Sequence, residues 1–304
     1  MTDFPAADVA ELFERFGVRP TQTHSCYQWS PVFPAERNGA AVVLKRTSKG
    51  IDEWCRRLAE AGIPVVTPVE LDTANPAAVN GENWTVYPWV DGRRYNASLE
   101  DIAAAGELLG RIHAVRSTEL RPFSWPTYEP GEPAKDLPEL REKFTEHAPE
   151  HVDSVMARLE PLGENFERTT LPAIRDAELP VVDATMDYKA NNLVFADTGP
   201  VLIDPDNGEC PPRILDLSLA ALMFTMEDVP GRPFTTEEWM VFRDSYRAHV
   251  ELTETEVAAW PDAVDYMLWE HGTWAMADST EWHVPLQRSF LVGLAQVQRD
   301  AFPM

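Results

Sequence analysis

The feature that most restricts what this chain can fold into is a change of pattern past its midpoint. From Leu179 to Asp204, short β-like runs carrying aspartates interrupt a stretch that otherwise reads as helix. The runs are Val181-Val182, Asn192 to Phe195 and Pro200 to Asp204. The front of the chain has a different character. After an opening amphipathic helix from Met1 to Phe16, Thr21 to Thr47 predicts two strands around the Arg37-Asn38-Gly39 turn signal, with Ala41 to Lys45 the firmest. Ile51 to Ala61 places Ile51, Trp54, Cys55 and Leu58 on one helical face, and Gly62 closes it. Strand segments return at Val65 to Val69 and Trp84 to Val90, and Leu99 to Val115 is again an amphipathic helix. A proline-rich connection, Phe123 to Pro138, follows. A small strand-rich front joined to a larger helical back predicts two lobes with a site at their seam.

Composition narrows the partners. With 304 residues and 44% hydrophobic content, the chain can bury a large apolar core. The 26 Lys and Arg against 50 Asp and Glu give a net charge of -24, which repels nucleic-acid backbones and anionic lipid surfaces. From Thr225 to Met304 there are 14 acidic residues, five arginines and no lysine, a distribution that suits a positively charged partner as well as solubility. The longest central apolar run, Leu217 to Met226, is too short to cross a bilayer. The acidic start lacks the layout of an export signal. Cys26, Cys55 and Cys210 form no CxxC pair, which fits reduced thiols in a cytoplasm and makes the sequons at Asn83 and Asn96 irrelevant.

The chemistry concentrates in Asp183-Ala-Thr-Met-Asp187-Tyr-Lys189-Ala-Asn-Asn192, followed by Val201-Leu-Ile-Asp204-Pro-Asp206. Phosphoryl transfer needs a carboxylate to orient a hydroxyl, oxygen ligands for Mg²⁺, and cations on the phosphates. A loop reading Asp-x-Lys-x-x-Asn offers an acid, a cation and an amide oxygen within six residues. A strand ending in Ile-Asp aims a second carboxylate at a hard, oxygen-seeking ion.

On these residues the chain resembles the aminoglycoside phosphotransferase and choline kinase-like family, relatives of protein kinases. Asp187 and Asn192 fit that family's catalytic loop, Ile203-Asp204 its metal site, and Asp216-Leu217-Ser218 the motif that follows. The resemblance implies an α+β, protein-kinase-like two-lobed fold, with a small mixed α/β N-lobe and a larger, mainly helical C-lobe. It implies a nucleotide-binding lobe over 1–90 and a C-terminal lobe over 91–304. Within the latter, a catalytic core spans about 95–125 and 178–225, and an acceptor-binding helical subdomain about 126–177 and 226–304. By the same resemblance Asp187 is the catalytic base, Asn192 and Asp204 are magnesium ligands, Asp206 touches a second metal, and Asp216 braces the loop. Lys189 stands where many aminoglycoside kinases have histidine and implies neutralisation of the γ-phosphate. One departure is plain: Thr185-Met186 replaces the His-Gly that usually precedes the catalytic aspartate.

On the nucleotide side, Lys45 ends an apolar strand at the position where related kinases hold the α- and β-phosphates of ATP or GTP. Glu53 on the next helix is its expected partner, with Glu60 the second choice. Trp84 to Gly92 looks like the linker between lobes, where the carbonyl of Pro88 and the N–H of Val90 would meet the base. No glycine lies between Val18 and Asn38, so backbone N–H groups of His24 to Gln28 are expected to replace a glycine-rich phosphate loop. His113 matches a histidine that is structural in the family.

Two further signals are weighed. His147-Ala-Pro-Glu150-His151 matches a zinc pattern, but Pro149 breaks the helix face such ligands must share. The tryptophans Trp260, Trp269, Trp274 and Trp282 read as core packing, or in part as walls of an acceptor pocket with Asp265, Glu270, Asp278 and Glu281. The expected activity is transfer of a phosphoryl group to a hydroxyl of a small cationic molecule, an aminoglycoside or basic peptide antibiotic. The alternatives are a metabolic kinase for choline, an amino alcohol or a sugar, and a non-catalytic pseudokinase.

Overall fold

The computed structural model describes residues 6–22, 24–27 and 30–304. The opening helix is α1, Ala6–Phe16, which buries Val9, Leu12, Phe13 and Phe16 along one face. Asp3, in the predicted extension of this helix, lies outside the described residues. Five antiparallel strands follow: β1 (Arg19–Pro20), β2 (Val32–Arg37), β3 (Ala40–Thr47), β4 (Ala77–Val79) and β5 (Glu82–Pro88), with helix α2 (Ile51–Glu60) between β3 and β4. They form one sheet in the order β1-β2-β3-β5-β4. The β2–β3 hairpin turns on Asn38 and Gly39, both at positive φ, as a two-residue hairpin loop requires.

Strand alternation then divides β3 between two environments. Val42 and Leu44 face a small core with α1, Phe33, Ala35, Trp84 and Val86, while Lys45 and Thr47 are also buried. Lys45 lies on the face opposite Leu44. The predicted strand Val65 to Val69 is a correction: it makes only a single bridge, Val65 to Leu202. Pro64 and Pro68 bracket it and donate no backbone hydrogen bonds, so a ladder cannot grow there. Val181-Val182 likewise forms an isolated bridge, Val181 to Pro212, and no strand.

The larger lobe contains α3 (Leu99–Ala114), α4 (Leu137–His147), α5 (Val152–Asn165), α6 (Leu171–Arg175), the hairpin β6 (Leu193–Ala196) and β7 (Gly199–Leu202), then α7 (Arg213–Met223), α8 (Thr236–Arg247), α9 (Glu254–Met267), α10 (Thr273–Asp278) and α11 (Pro285–Ala295). Wider π turns join α5 to α6 and α9 to α10. One large apolar core runs through these helices, and α2 contributes Ile51, Trp54, Cys55 and Leu58 to it. None of the described helices is long and apolar enough to cross a membrane.

Two contacts position the seam. Gly92, just past β5, lies so close to β6 that a Cβ there would stand 2.7 Å from the carbonyl oxygen of Phe195. The adjoining Arg93 exchanges backbone hydrogen bonds with Phe195 at 3.0 and 2.9 Å, stitching the inter-lobe linker to the strand that follows Asn192. Helices α3 and α8 also pack backbone to backbone: a Cβ on Gly110 would stand 2.5 Å from the carbonyl oxygen of Tyr246. Gly110→Ala gains about 1 kcal/mol of helix propensity but forces two backbones apart, at about 1–3 kcal/mol for overpacking. The expected result is a net loss of stability, read as a lower urea midpoint, and an unchanged or higher midpoint would contradict this packing.

Candidate active site

The loop before β6 is shaped by a buried hydrogen-bonded chain. Met186 has φ 49, a left-handed conformation that glycine adopts freely and other residues adopt at a cost. The hydroxyl of Thr185 is 3.2 and 3.4 Å from the carboxylate oxygens of Asp216, to which it donates, and it accepts the N–H of Asp187 at 3.4 Å. Asp216 also meets Nε2 of His113 at 3.0 Å, and Nδ1 of His113 meets the Tyr246 hydroxyl at 3.0 Å. His113, Thr185, Asp216 and Tyr246 are all fully buried. Thr185 therefore holds the turn by its own hydrogen bonds, and Asp216 reaches the loop through Thr185.

Asp187 emerges from that turn a quarter exposed. The amide nitrogen of Asn192 donates to the Asp187 backbone carbonyl at 2.7 Å and to its carboxylate at 3.0 Å, which leaves Oδ1 of Asn192 as an acceptor. Lys189 pairs with Asp187 at 2.9 Å, and Asn207 donates to it at 3.3 Å. Burial pushes the Asp187 carboxyl above the usual range, against the pull of Lys189.

Lys45 bonds to both carboxylates of the Asp204-Pro-Asp206 segment, at 2.6 Å to Asp206. Burial opposes its charge, but the two aspartates outweigh that and hold the ammonium above its ordinary pKa. Thr47, on the same face of β3, donates to Asp206. Burial raises Asp206, and Lys45 acts against the shift. The expected partner of Lys45 is a correction. Glu53 and Glu60 are exposed on α2, whose buried face is Ile51, Trp54, Cys55 and Leu58, so neither carboxylate is turned to the strand.

These groups open onto one cavity of about 720 Å³, lined among others by Lys45, Asp187, Lys189, Asp204 and Asp206. The same lining includes Glu227, Glu270, Trp274, Asp278 and Glu281. Trp274 is 55% exposed there. Asp265 is the second correction: it is buried, bonded by Arg158 and by Arg299 at 2.9 Å, and lies outside the cavity lining. It is a sequence candidate for the acceptor pocket with Glu270, Asp278 and Glu281, but its carboxylate is taken up by the two arginines.

At the linker, ladder geometry fixes where backbone groups point. Trp89 donates to Ala41 of β3, whereas Val86 turns its N–H to Asn75 and its carbonyl to Val69 on the outer edge. Groups of alternate residues face alternate edges of a strand, so the Pro88 carbonyl shares the outer edge with those of Val86. In the loop between β1 and β2, the Ser25 hydroxyl accepts the N–H groups of Tyr27 and Val32, and Cys26 N–H bonds to Val32. The N–H groups of Cys26 and Tyr27, expected to serve a phosphate, are thus engaged within the loop. Gln28 lies outside the described residues.

Several lining residues carried no readable signal in the sequence. Tyr27 projects from the β1–β2 loop beside Glu227, its hydroxyl pushed up to about 12 by burial. Glu227 adopts φ 64 and accepts from Asn191 at 3.1 Å. Asn207 could have been suspected from its place beside Asp206. His147 stacks on Trp282, and His151 lies 3.3 Å from Gln296, so the two histidines have separate partners.

Residues 36–260 match the family model described as the phosphotransferase enzyme family. The chain belongs to that family. It is 27% identical over 175 residues to stress response kinase A of Salmonella choleraesuis (strain SC-B67), a match covering 54% of this chain and 48% of that protein. The chain therefore spans about half the length of the curated relatives it matches. The fold is similar to that of an aminoglycoside phosphotransferase from Alicyclobacillus acidocaldarius, with a TM-score of 0.64 at 16% identity over 99% of this chain and 95% of that one. It is also similar to the amicoumacin kinase hAmiN in complex with AMP-PNP, Ca²⁺ and Ami, with a TM-score of 0.59 at 18% identity over 95% and 90% of the two chains.

His271, in the π turn between α9 and α10, also lines the cavity, and burial lowers its pKa to about 4 from an ordinary 6.5. The unfolded chain then binds a proton between these values that the folded chain refuses, so the contribution is present above pH 6.5 and is lost as pH falls toward 4. The full shift corresponds to about 3 kcal/mol. Raised carboxyls such as Asp187 act in the opposite direction, so the informative quantity is a difference. Denaturation of wild type and His271→Gln from pH 7 to pH 4 should show the wild type losing more stability, and parallel curves would refute the assignment.

Proposed function

We propose that this phosphotransferase moves the γ-phosphoryl group of ATP or GTP onto a hydroxyl of a small cationic molecule, an aminoglycoside or basic peptide antibiotic, and so acts in resistance. One observation carries the reading. A single cavity is lined by Lys45, Asp187, Lys189, Asp204 and Asp206 and also by the acidic and aromatic residues Glu227, Glu270, Trp274 and Asp278. Among the described residues, no lysine or arginine forms an ion pair with Glu227, Glu270 or Asp278. Excess negative charge beside an exposed tryptophan suits an amine.

In this reading Asp187 takes the hydrogen bond of the acceptor hydroxyl, and its raised pKa favours acceptance of the proton. Lys189 faces the charge of the γ-phosphate, and Lys45 turns from the two aspartates to the α- and β-phosphates. The Pro88 carbonyl and Val90 N–H meet the base. The remaining oxygen set fits magnesium: Oδ1 of Asn192 with Asp204 and Asp206 is the hard donor type, and the ammonium of Lys45 already lies against both carboxylates. Bound there, magnesium would neutralise β- and γ-phosphate oxygens as they separate.

Asp187→Asn keeps the size of the side chain and removes the base. Magnesium-dependent ADP release with an acceptor panel should fall by about 10²–10⁴-fold in kcat while nucleotide affinity is kept. In the wild type, kcat/KM should fall on acidification at a pH above the ordinary carboxylate range, because Asp187 must be ionised. Full turnover by Asp187→Asn would show that the base lies elsewhere.

A further inference from the structure

A strand lysine that holds phosphates needs a carboxylate to aim it, and in protein kinases a helix supplies that group. Helix α2 does not supply it here. Of its three acids, Asp52 pairs with Arg56 of the same helix at 2.9 Å, while Glu53 and Glu60 are exposed. The face that α2 buries is Ile51, Trp54, Cys55 and Leu58, which carries no charge.

The carboxylate that does meet Lys45 comes from the larger lobe. Oδ2 of Asp206 lies 2.6 Å from Nζ of Lys45 and is sealed from solvent, so a ligand in the cavity has no route to that oxygen. Oδ1 accepts the hydroxyl of Thr47, which stands two residues along β3 on the same face as Lys45. Asp204 also bonds to Lys45, but its side chain is 24% exposed against 13% for Asp206. Among the described residues, no other side chain bonds to Asp204.

The turn that bears Asp206 has a second, independent anchor. Gly208 donates its N–H to the Pro205 carbonyl at 3.2 Å, and a Cβ on Gly208 would stand 2.9 Å from Cδ1 of Ile51 and 3.3 Å from the Trp54 ring. The apolar face of α2 is thus pressed against the turn that carries the carboxylate. Helix α2 supports the lysine through packing and contributes no charge to it.

We propose that Asp206, fixed by Thr47 and by the packing of its turn on α2, is the counter-ion that positions Lys45 for the phosphates in place of a helix carboxylate. The proposal rests on the phosphotransferase reading above and deepens it. As the ammonium turns toward the phosphates, Asp204 is freed for the metal and Oδ2 of Asp206 stays beside Nζ. Asp206 and Thr47 are then positioning residues.

The test joins turnover to unfolding. Release of ADP or GDP with the acceptor panel is measured for wild type, Thr47→Val, Thr47→Ser, Asp206→Asn and Glu53→Gln. Thr47→Val keeps every charge, and it should lose about tenfold or more in kcat with the acceptor KM unchanged. Thr47→Ser should recover most of that loss, Asp206→Asn should lose at least as much, and Glu53→Gln should turn over like wild type. In urea denaturation of the ligand-free protein, the midpoint losses of Lys45→Met and Asp206→Asn should add to less than their sum in the double variant, whereas those of Lys45→Met and Glu53→Gln should add in full. Wild-type kcat in Thr47→Val, Glu53→Gln as damaging as Asp206→Asn, or additive losses for Lys45 with Asp206 would each overturn the assignment. Should wild type release no nucleoside diphosphate with any acceptor, the functional reading fails. The urea comparison then decides the counter-ion: coupling between Lys45 and Asp206 supports it, and additivity removes it.

Discussion

The buried chain of hydrogen bonds from Tyr246 through His113 and Asp216 to Thr185 sets the geometry on which the rest of the site depends. It joins four separate parts of the fold: α8, α3, α7 and the loop that presents Asp187. A buried carboxylate is tolerable only when its oxygens are occupied, and Asp216 has His113 on one side and Thr185 on the other. The close approach of α3 and α8 at Gly110 brings His113 within reach of Tyr246. Helix packing in the large lobe is thereby coupled to the direction in which one aspartate points.

The cleft itself is an electrostatic balance across two lobes. Lys45, from the sheet, is held by Asp204 and Asp206, from the end of the β6–β7 hairpin, so the pair bridges the seam. Breaking such a buried cluster by removing one partner leaves an uncompensated charge, which costs several kcal/mol. The seam thus favours any ligand that supplies a replacement cation for the aspartates and anions for the lysine. A metal-bound triphosphate has both. Elsewhere in the cavity the character is opposite, with carboxylates raised by burial at Glu227 and Glu270 and no ion pair to either among the described residues.

The sequence was most informative where the chemistry is local. Asn192 follows Asp187 by five residues on one tight turn, and the structure joins them through two hydrogen bonds. The apolar face of α2 and the hairpin at Asn38-Gly39 were equally legible, because helical spacing and a turn signal act over a few residues. The reading failed where partners are chosen at long range. Glu53 looked like the mate of Lys45, yet the register of α2 turns it to solvent. Asp265 was grouped with Glu270, Asp278 and Glu281 as a wall of the pocket, yet Arg158 and Arg299 occupy it in the interior.

The amino-acid sequence by itself determined which charged and amide groups stand together in the Asp187 loop and at Ile203-Asp204, since a few bonds of chain separate them. Only the tertiary structure decided what faces the cavity from α9, α10 and α11. Glu270 and His271, in the π turn at Leu268–Gly272, line the same space as Trp274 and Asp278 of α10. Gln287, in the first turn of α11, is buried at the edge of that cavity. Short-range order follows from dihedral angles and spacing, whereas the choice of a distant partner follows from how whole helices pack, and no local pattern encodes that.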